Sequence, residues 1–176
     1  MNKRTALLAA AVLAAPLALN AQTLELPKQK AGLWDVALEM FAGMPAIVMQ
    51  MCVDEAHARE MMDNALKRIG KDCKTTTLKR QGTDYVLDSE CTISGMAVKS
   101  KTTISGDLGS AYTVRVEGMM DGLPRGGKGP VPIAMTQRAT WKGADCADLK
   151  PGEIRMPGGV KVNVKDMKSL PAGGLR

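Results

Sequence analysis

The stretch 73-CKTTTLKRQGTDYVLDSEC-91 places two runs of β-branched and polar residues on either side of Gln81-Gly82-Thr83. Short runs of this kind, split by a glycine-containing turn, read as a β-hairpin. Gly82 lies nine residues from each cysteine. A three-residue loop centred on it therefore sets Cys73 directly opposite Cys91. Residues 75–80, and Lys99, Lys101 and Thr103 further along, are too polar for strands buried on both sides. The sheet they belong to must have one face in water, which is an antiparallel trait.

The same period of two appears upstream. Trp34, Val36, Leu38 and Met40 share one face, and Leu33, Asp35, Ala37 and Glu39 the other. After a turn at Gly43-Met44-Pro45, Ile47, Met49, Met51 and Val53 form a second apolar row. The period then changes. Asp54 suits an N-cap, Ala58, Met61, Met62, Ala65, Leu66 and Ile69 recur at helical spacing, and Gly70 is placed to end the helix. Downstream, strands are expected at 96–104 and 111–118, joined around Gly106, Asp107 and Gly109, and at 133–141. The expected fold is a β-rich α+β domain. It is an antiparallel meander of about seven strands with one helix after the second, and such a sheet can curl into a partial barrel.

The ends of the chain read differently. Lys3 and Arg4 precede an apolar run from Ala6 to Leu19, and Ala21 offers a cleavage point before Gln22, the pattern of a secretory signal over residues 1–21. That run is short of the ~20 residues a spanning helix needs. No cysteine follows it, so a lipid anchor is not indicated, and the mature chain is not expected to be an integral membrane protein. The expected organisation is the signal, one domain over 22–146, and a basic Gly/Pro-containing flexible tail over 147–176 in which Val160, Val162 and Val164 could form one edge strand. The location implied is the periplasm, which permits disulfides.

Cys52, Cys73, Cys91 and Cys146 allow three pairings. The hairpin favours Cys73–Cys91, which leaves Cys52–Cys146 to tie the start of the domain to its end. A zinc site is disfavoured because the intervals contain no C-x₂-C pair.

Taken together, Gly32-Leu33-Trp34, Gly43-Met44-Pro45 and the four cysteines in order resemble the DUF3617 family, small exported bacterial proteins known as a domain of unknown function. The resemblance runs from about Leu33 to Cys146. It implies export, a β-rich fold and paired cysteines, and brings no catalytic residue with it.

Composition removes several chemistries. The formal charge of +6 suggests an anionic partner. Lys3 and Arg4 and the tail supply most of it, and residues 22–146 carry only +1. Five aromatic residues, Trp34, Phe41, Tyr85, Tyr112 and Trp141, are too few for a base-stacking platform. A nucleic-acid partner is not expected, and any role for the charge lies with the tail at an acidic surface. Gly122 followed by Gly127-Lys128 begins like a phosphate-binding loop. Gly129 then stands where Ser or Thr should hold Mg²⁺, and Pro130 and Pro132 oppose the required helix. The one histidine, His57, has no nucleophile suggested beside it, and Asp54-Glu55 suit a helix N-terminus better than acid–base chemistry.

No cofactor is expected, and an enzyme is the least supported class. Twelve methionines beyond Met1 leave two binding readings. One is Cu(I) at Met49 and Met51, whose side chains leave a strand on the same side. The other is an apolar ligand held in a curved sheet lined by Met, Val and Leu. Beneath both stands the broader expectation of an exported binding or scaffold domain.

Overall fold

A computed structural model describes residues 28–40, 44–122 and 129–164, apart from the side chain of Ala65. The elements are β1 (Gly32–Glu39), β2 (Ile47–Val53), α1 (Glu55–Asp72), β3 (Cys73–Gln81), β4 (Asp84–Ile93), β5 (Met96–Asp107), β6 (Ala111–Asp121), β7 (Val131–Gly143), β8 (Glu153–Arg155) and β9 (Lys161–Asn163). All the strands join one antiparallel sheet in the order β3-β4-β5-β6-β7-β1-β2-β8-β9. The sheet is open, with β3 and β9 at its edges.

Nine strands replace the expected seven because β8 and β9 form within the segment read as a flexible tail. Their anchor is local and polar as well as apolar. Gln50 and Met51 of β2 pair with Arg155 and Ile154, and Asp148 accepts hydrogen bonds from both Arg155 and Lys161. These two cations hold the Asp148 carboxyl down to about 2, Lys161 having the larger effect. The signal read over 1–21 lies outside the described residues, as do residues 123–128 of the phosphate-loop motif that begins at Gly122. Pro132, at the far end of that motif, lies in strand β7.

The first hairpin reaches its cysteine pairing by a different route from the one expected. Gln81 pairs with Asp84, so the turn has two residues rather than three, with Gly82 at φ +63 in the first central position, where a type II′ turn needs glycine. An irregularity between Cys73 and Thr75 adds the missing residue, Lys74, and returns Cys73 to Cys91. This register decides which side chains share a face, because a slip of one residue would turn all of β4 over. Leu78 stands opposite Leu87, and Arg80 opposite Tyr85.

Followed across the sheet, the registers sort the strands into two unlike faces. One carries Leu78, Leu87, Val116 and Met135 in a single row, with Ile104, Val114, Leu38 and Ile47 in the next. Trp34, Met51, Ile154 and Val162 lie towards its other end. The opposite face carries the charges. Lys79–Asp88, Lys99–Glu90, Arg115–Glu117, Arg138–Glu39 and Lys142–Asp35 are ion pairs on it. The shallow groove between Thr77, Glu90, Lys99 and Glu117 belongs to this charged side.

Helix α1 shows that the sheet is curled. Val53, before the helix, and Cys73, after it, stand six strands apart, at opposite ends of their strands as traced through the registers. On a flat sheet those points would be about 50 Å apart. An 18-residue helix is only about 27 Å long. The sheet must bend to bring its two corners within reach, and the helix crosses the hollow as a chord. Ala58 packs against the core cluster of Trp34, Val36, Met51, Val53, Ala139 and Ile154, which identifies the apolar face as the hollow one.

Asp54 caps α1, its Oδ1 accepting from the backbone N–H of His57 at 2.7 Å and approaching that ring's Nδ1 at 2.7 Å. These contacts lower the carboxyl's pKa. Gly70 does not end the helix, which runs to Asp72 and is capped by Cys73, whose N–H donates to the Ile69 carbonyl. A glycine inside a helix costs only about 1 kcal/mol, which the continuing chain direction into β3 overrides. Disulfides join Cys52 to Cys146 and Cys73 to Cys91. One therefore lies just before the helix and the other just after it.

Gly152 locks the β8 segment to the start of α1. Its N–H donates to the Cys52 carbonyl, its carbonyl accepts from Val164 N–H, and it sits at φ +82. A Cβ there would fall 2.5 Å from Cδ2 of His57. Gly152→Ala is expected to cost about 1–3 kcal/mol through backbone strain and displacement of the imidazole. Urea unfolding measures the loss, and a shift of the His57 ring resonances locates it. An unchanged midpoint would refute the contact.

Candidate functional site

The hollow face is apolar in composition but incompletely covered. Most of its buried residues cluster around Trp34, towards the β1, β2 and β8 side. Towards β3 to β6 Val98 is buried, and the rest of the lining is half-buried: Leu78, Leu87, Ile104, Val114 and Val116. Small residues cross this region, with Ser89 and Ser100 hydroxyls 3.0 Å apart and Gly118 next in the same row. A Cβ on Gly118 would lie 2.2 Å from the Lys99 carbonyl oxygen, so two strands approach closely there.

The helix above this region does not close it. Helical geometry places positions 61, 62, 65, 66 and 69 within an arc of about 140° that includes Ala58. Since Ala58 touches the sheet core, this arc faces the sheet. Yet Met61, Met62 and Leu66 are 41%, 37% and 57% exposed. The other sheet contacts of α1 are with β3 and β4, at its C-terminal end. Between its ends the apolar side chains of the helix thus keep much of their surface in water. The space between these and the half-buried apolar side chains of the sheet is the candidate site, here termed the trough. Tyr112 lines its inner end, where Gln29 donates to the hydroxyl at 3.2 Å and Trp34 packs edge-on at 5.5 Å. Burial raises the pKa of that hydroxyl.

The copper candidates Met49 and Met51 do share a face, but Met51 is buried in the core cluster and Met49 packs against it. No group of three or more His, Cys, Asp or Glu capable of holding a metal occurs among the described residues. His57 is turned towards Gly152 and Asp54, inside the fold's own hydrogen bonding. The trough walls were foreseeable in part. Met, Val and Leu were expected as lining, but which leucines face it depends on the hairpin register, and Leu78 and Leu87 could not be assigned without it.

A family model described as a protein of unknown function, DUF3617, matches residues 29–146. The chain belongs to the DUF3617 family. The DUF3617 match spans β1 through β7, helix α1 and all four cysteines, so the trough and both disulfides lie within it. Strands β8 and β9 lie beyond it. No curated protein and no solved structure matches the chain. No helix among the described residues of this DUF3617 protein is long and apolar enough to cross a membrane.

Proposed function

We propose that this protein is an exported, non-enzymatic binding domain that holds an acyl chain in the trough between α1 and the hollow face. The observation that carries this reading is the apolar arc of α1, directed at an apolar sheet face and still in contact with water. Removing such opposed surfaces from water is favourable by about 25 cal/mol per Å². A flexible chain of methylene groups fits between them without requiring hydrogen bonds. Methionine suits this surface because its unbranched thioether adapts to an irregular guest. The reading of residues 1–21 as a signal, together with two disulfides, supports export.

The test is displacement of a fluorescent fatty-acyl probe from protein purified with both disulfides formed. Val116→Asp puts a charge in the trough floor and is expected to weaken binding at least ~10-fold, since a carboxylate in apolar surroundings is strongly disfavoured. Thr92→Asp, on the charged face, should leave it unchanged. Equal affinities for the two variants would refute the site.

A further inference from the structure

Lys74 aside, which the irregularity in β3 leaves without a register partner, all the charged strand residues but one lie on the outer face. The exception is Arg80. It shares the face of Leu78, stands opposite Tyr85, and is in the row of Ile104 and Val114. It is exposed on the edge strand β3, beside the turn at Gly82. Its partners leave its charge uncompensated. Nε donates to the Gly82 carbonyl at 3.2 Å, and Cζ lies 5.8 Å from the Tyr85 ring centroid. Among the described residues it makes no salt bridge, whereas Lys79, Lys99, Arg115 and Arg138 on the opposite face all do. Its two terminal nitrogens remain available as a planar fork, the geometry that receives a carboxylate or phosphate in two parallel hydrogen bonds.

An unpaired cation at the edge of a sheet face whose other registered side chains are uncharged selects the polarity of what enters. The charged members of the helix arc, Glu55 and Asp72, stand at the two ends of α1. We propose that the ligand is an anionic amphiphile, an acyl chain bearing one carboxylate or one phosphodiester, with its head group bound by Arg80 at the β3 edge and its chain lying along the trough. One positive charge matches one negative charge. The neighbouring Leu78, Leu87 and Ile104 accept the first methylene groups, and the polar group stays at the water boundary. This deepens the acyl-chain reading and rests on it.

The experiment compares palmitate, lysophosphatidylglycerol and hexadecanol, each below its critical micelle concentration, on the wild-type protein, Arg80→Gln and Arg80→Lys. Arg80→Gln is expected to weaken palmitate or lysophosphatidylglycerol at least ~10-fold, as loss of a charged hydrogen-bonding partner does, and to leave hexadecanol within about twofold. The anion that responds identifies the head-group source, and a response from both assigns the site to monoanions generally. Arg80→Lys should fall between, because a point charge replaces the fork. If Arg80→Gln affects palmitate and hexadecanol alike, or affects none of the three, Arg80 does not bind the head group and the trough reading survives. If none of the three binds the wild-type protein, the trough reading falls, and this inference with it.

Discussion

Trp34→Ala is expected to lower the unfolding free energy by about 3–5 kcal/mol. Trp34 is fully buried and is the largest side chain that is. Around it the cluster holds Val36, Met51, Val53, Ala139 and Ile154, with Tyr112 and Trp141 packed against it. None of these matches the volume of an indole lost to alanine except by leaving its own contacts. The indole also carries a hydrogen bond, Nε1 to the Lys30 carbonyl at 2.8 Å, and an edge contact with Tyr112. A domain of this size has about 5–15 kcal/mol in total, so the variant should sit near the limit of folding. Urea titration followed by far-ultraviolet circular dichroism measures the change. Trp34→Phe, which keeps most of the ring volume and removes the hydrogen bond, should lose far less. A loss below about 1 kcal/mol for the alanine variant would mean that the cavity collapses and the packing is not centred here.

Removing the long disulfide through Cys52→Ser with Cys146→Ser should cost about 2–5 kcal/mol. The cysteines are 94 residues apart in sequence, and a loop of that length closes with a large entropic penalty in the unfolded chain. The bond also fastens the segment after β7 to β2, beside the Gly152 hydrogen bond to Cys52. Amide exchange should therefore rise first in β8, β9 and the first turn of α1, and the urea midpoint should drop. The Cys73→Ser, Cys91→Ser variant, with cysteines only 18 residues apart, is expected to lose less in the chain-entropy model. The reverse ranking would show that the short bridge has a packing role beyond its loop.

Much of the sheet was legible in the sequence because one-face burial imposes a period of two, and the β1, β2 and β4–β7 strands obey it. The helix was legible through Asp54 and the spacing of Ala58, Met62 and Ile69. Two kinds of feature were not. Strand β8 is three residues long, too short to show a period, and exists because β2 offers it an edge, whereas β9 falls within the valine alternation over 160–164 that suggested one edge strand. Pairing of β7 with β1 joins residues about a hundred positions apart, and nothing local encodes it. The hairpin is the instructive case. Counting symmetrically from Gly82 gives the observed cysteine pair but sets Leu78 against Val86. The two-residue turn and the Lys74 irregularity give the same pair and set Leu78 against Leu87. Only the second register puts Leu87 and Tyr85 on the hollow face beside Arg80, so the candidate site stayed hidden behind a correct disulfide.

The two disulfides are nested, one lying wholly inside the span of the other. Their order of assembly follows from this. In a chain that emerges from its N-terminus, Cys52 appears first and its partner Cys146 appears last. Cys73 arrives in between, and joining the first two thiols to appear would bridge the ends of α1 to each other. The hairpin protects against that error: once its strands pair, Cys73 is held against Cys91 and withdrawn from competition. With that pair made, Cys52 has only Cys146 left as a partner within the chain, and a chain truncated before residue 146 is left with one unpaired thiol.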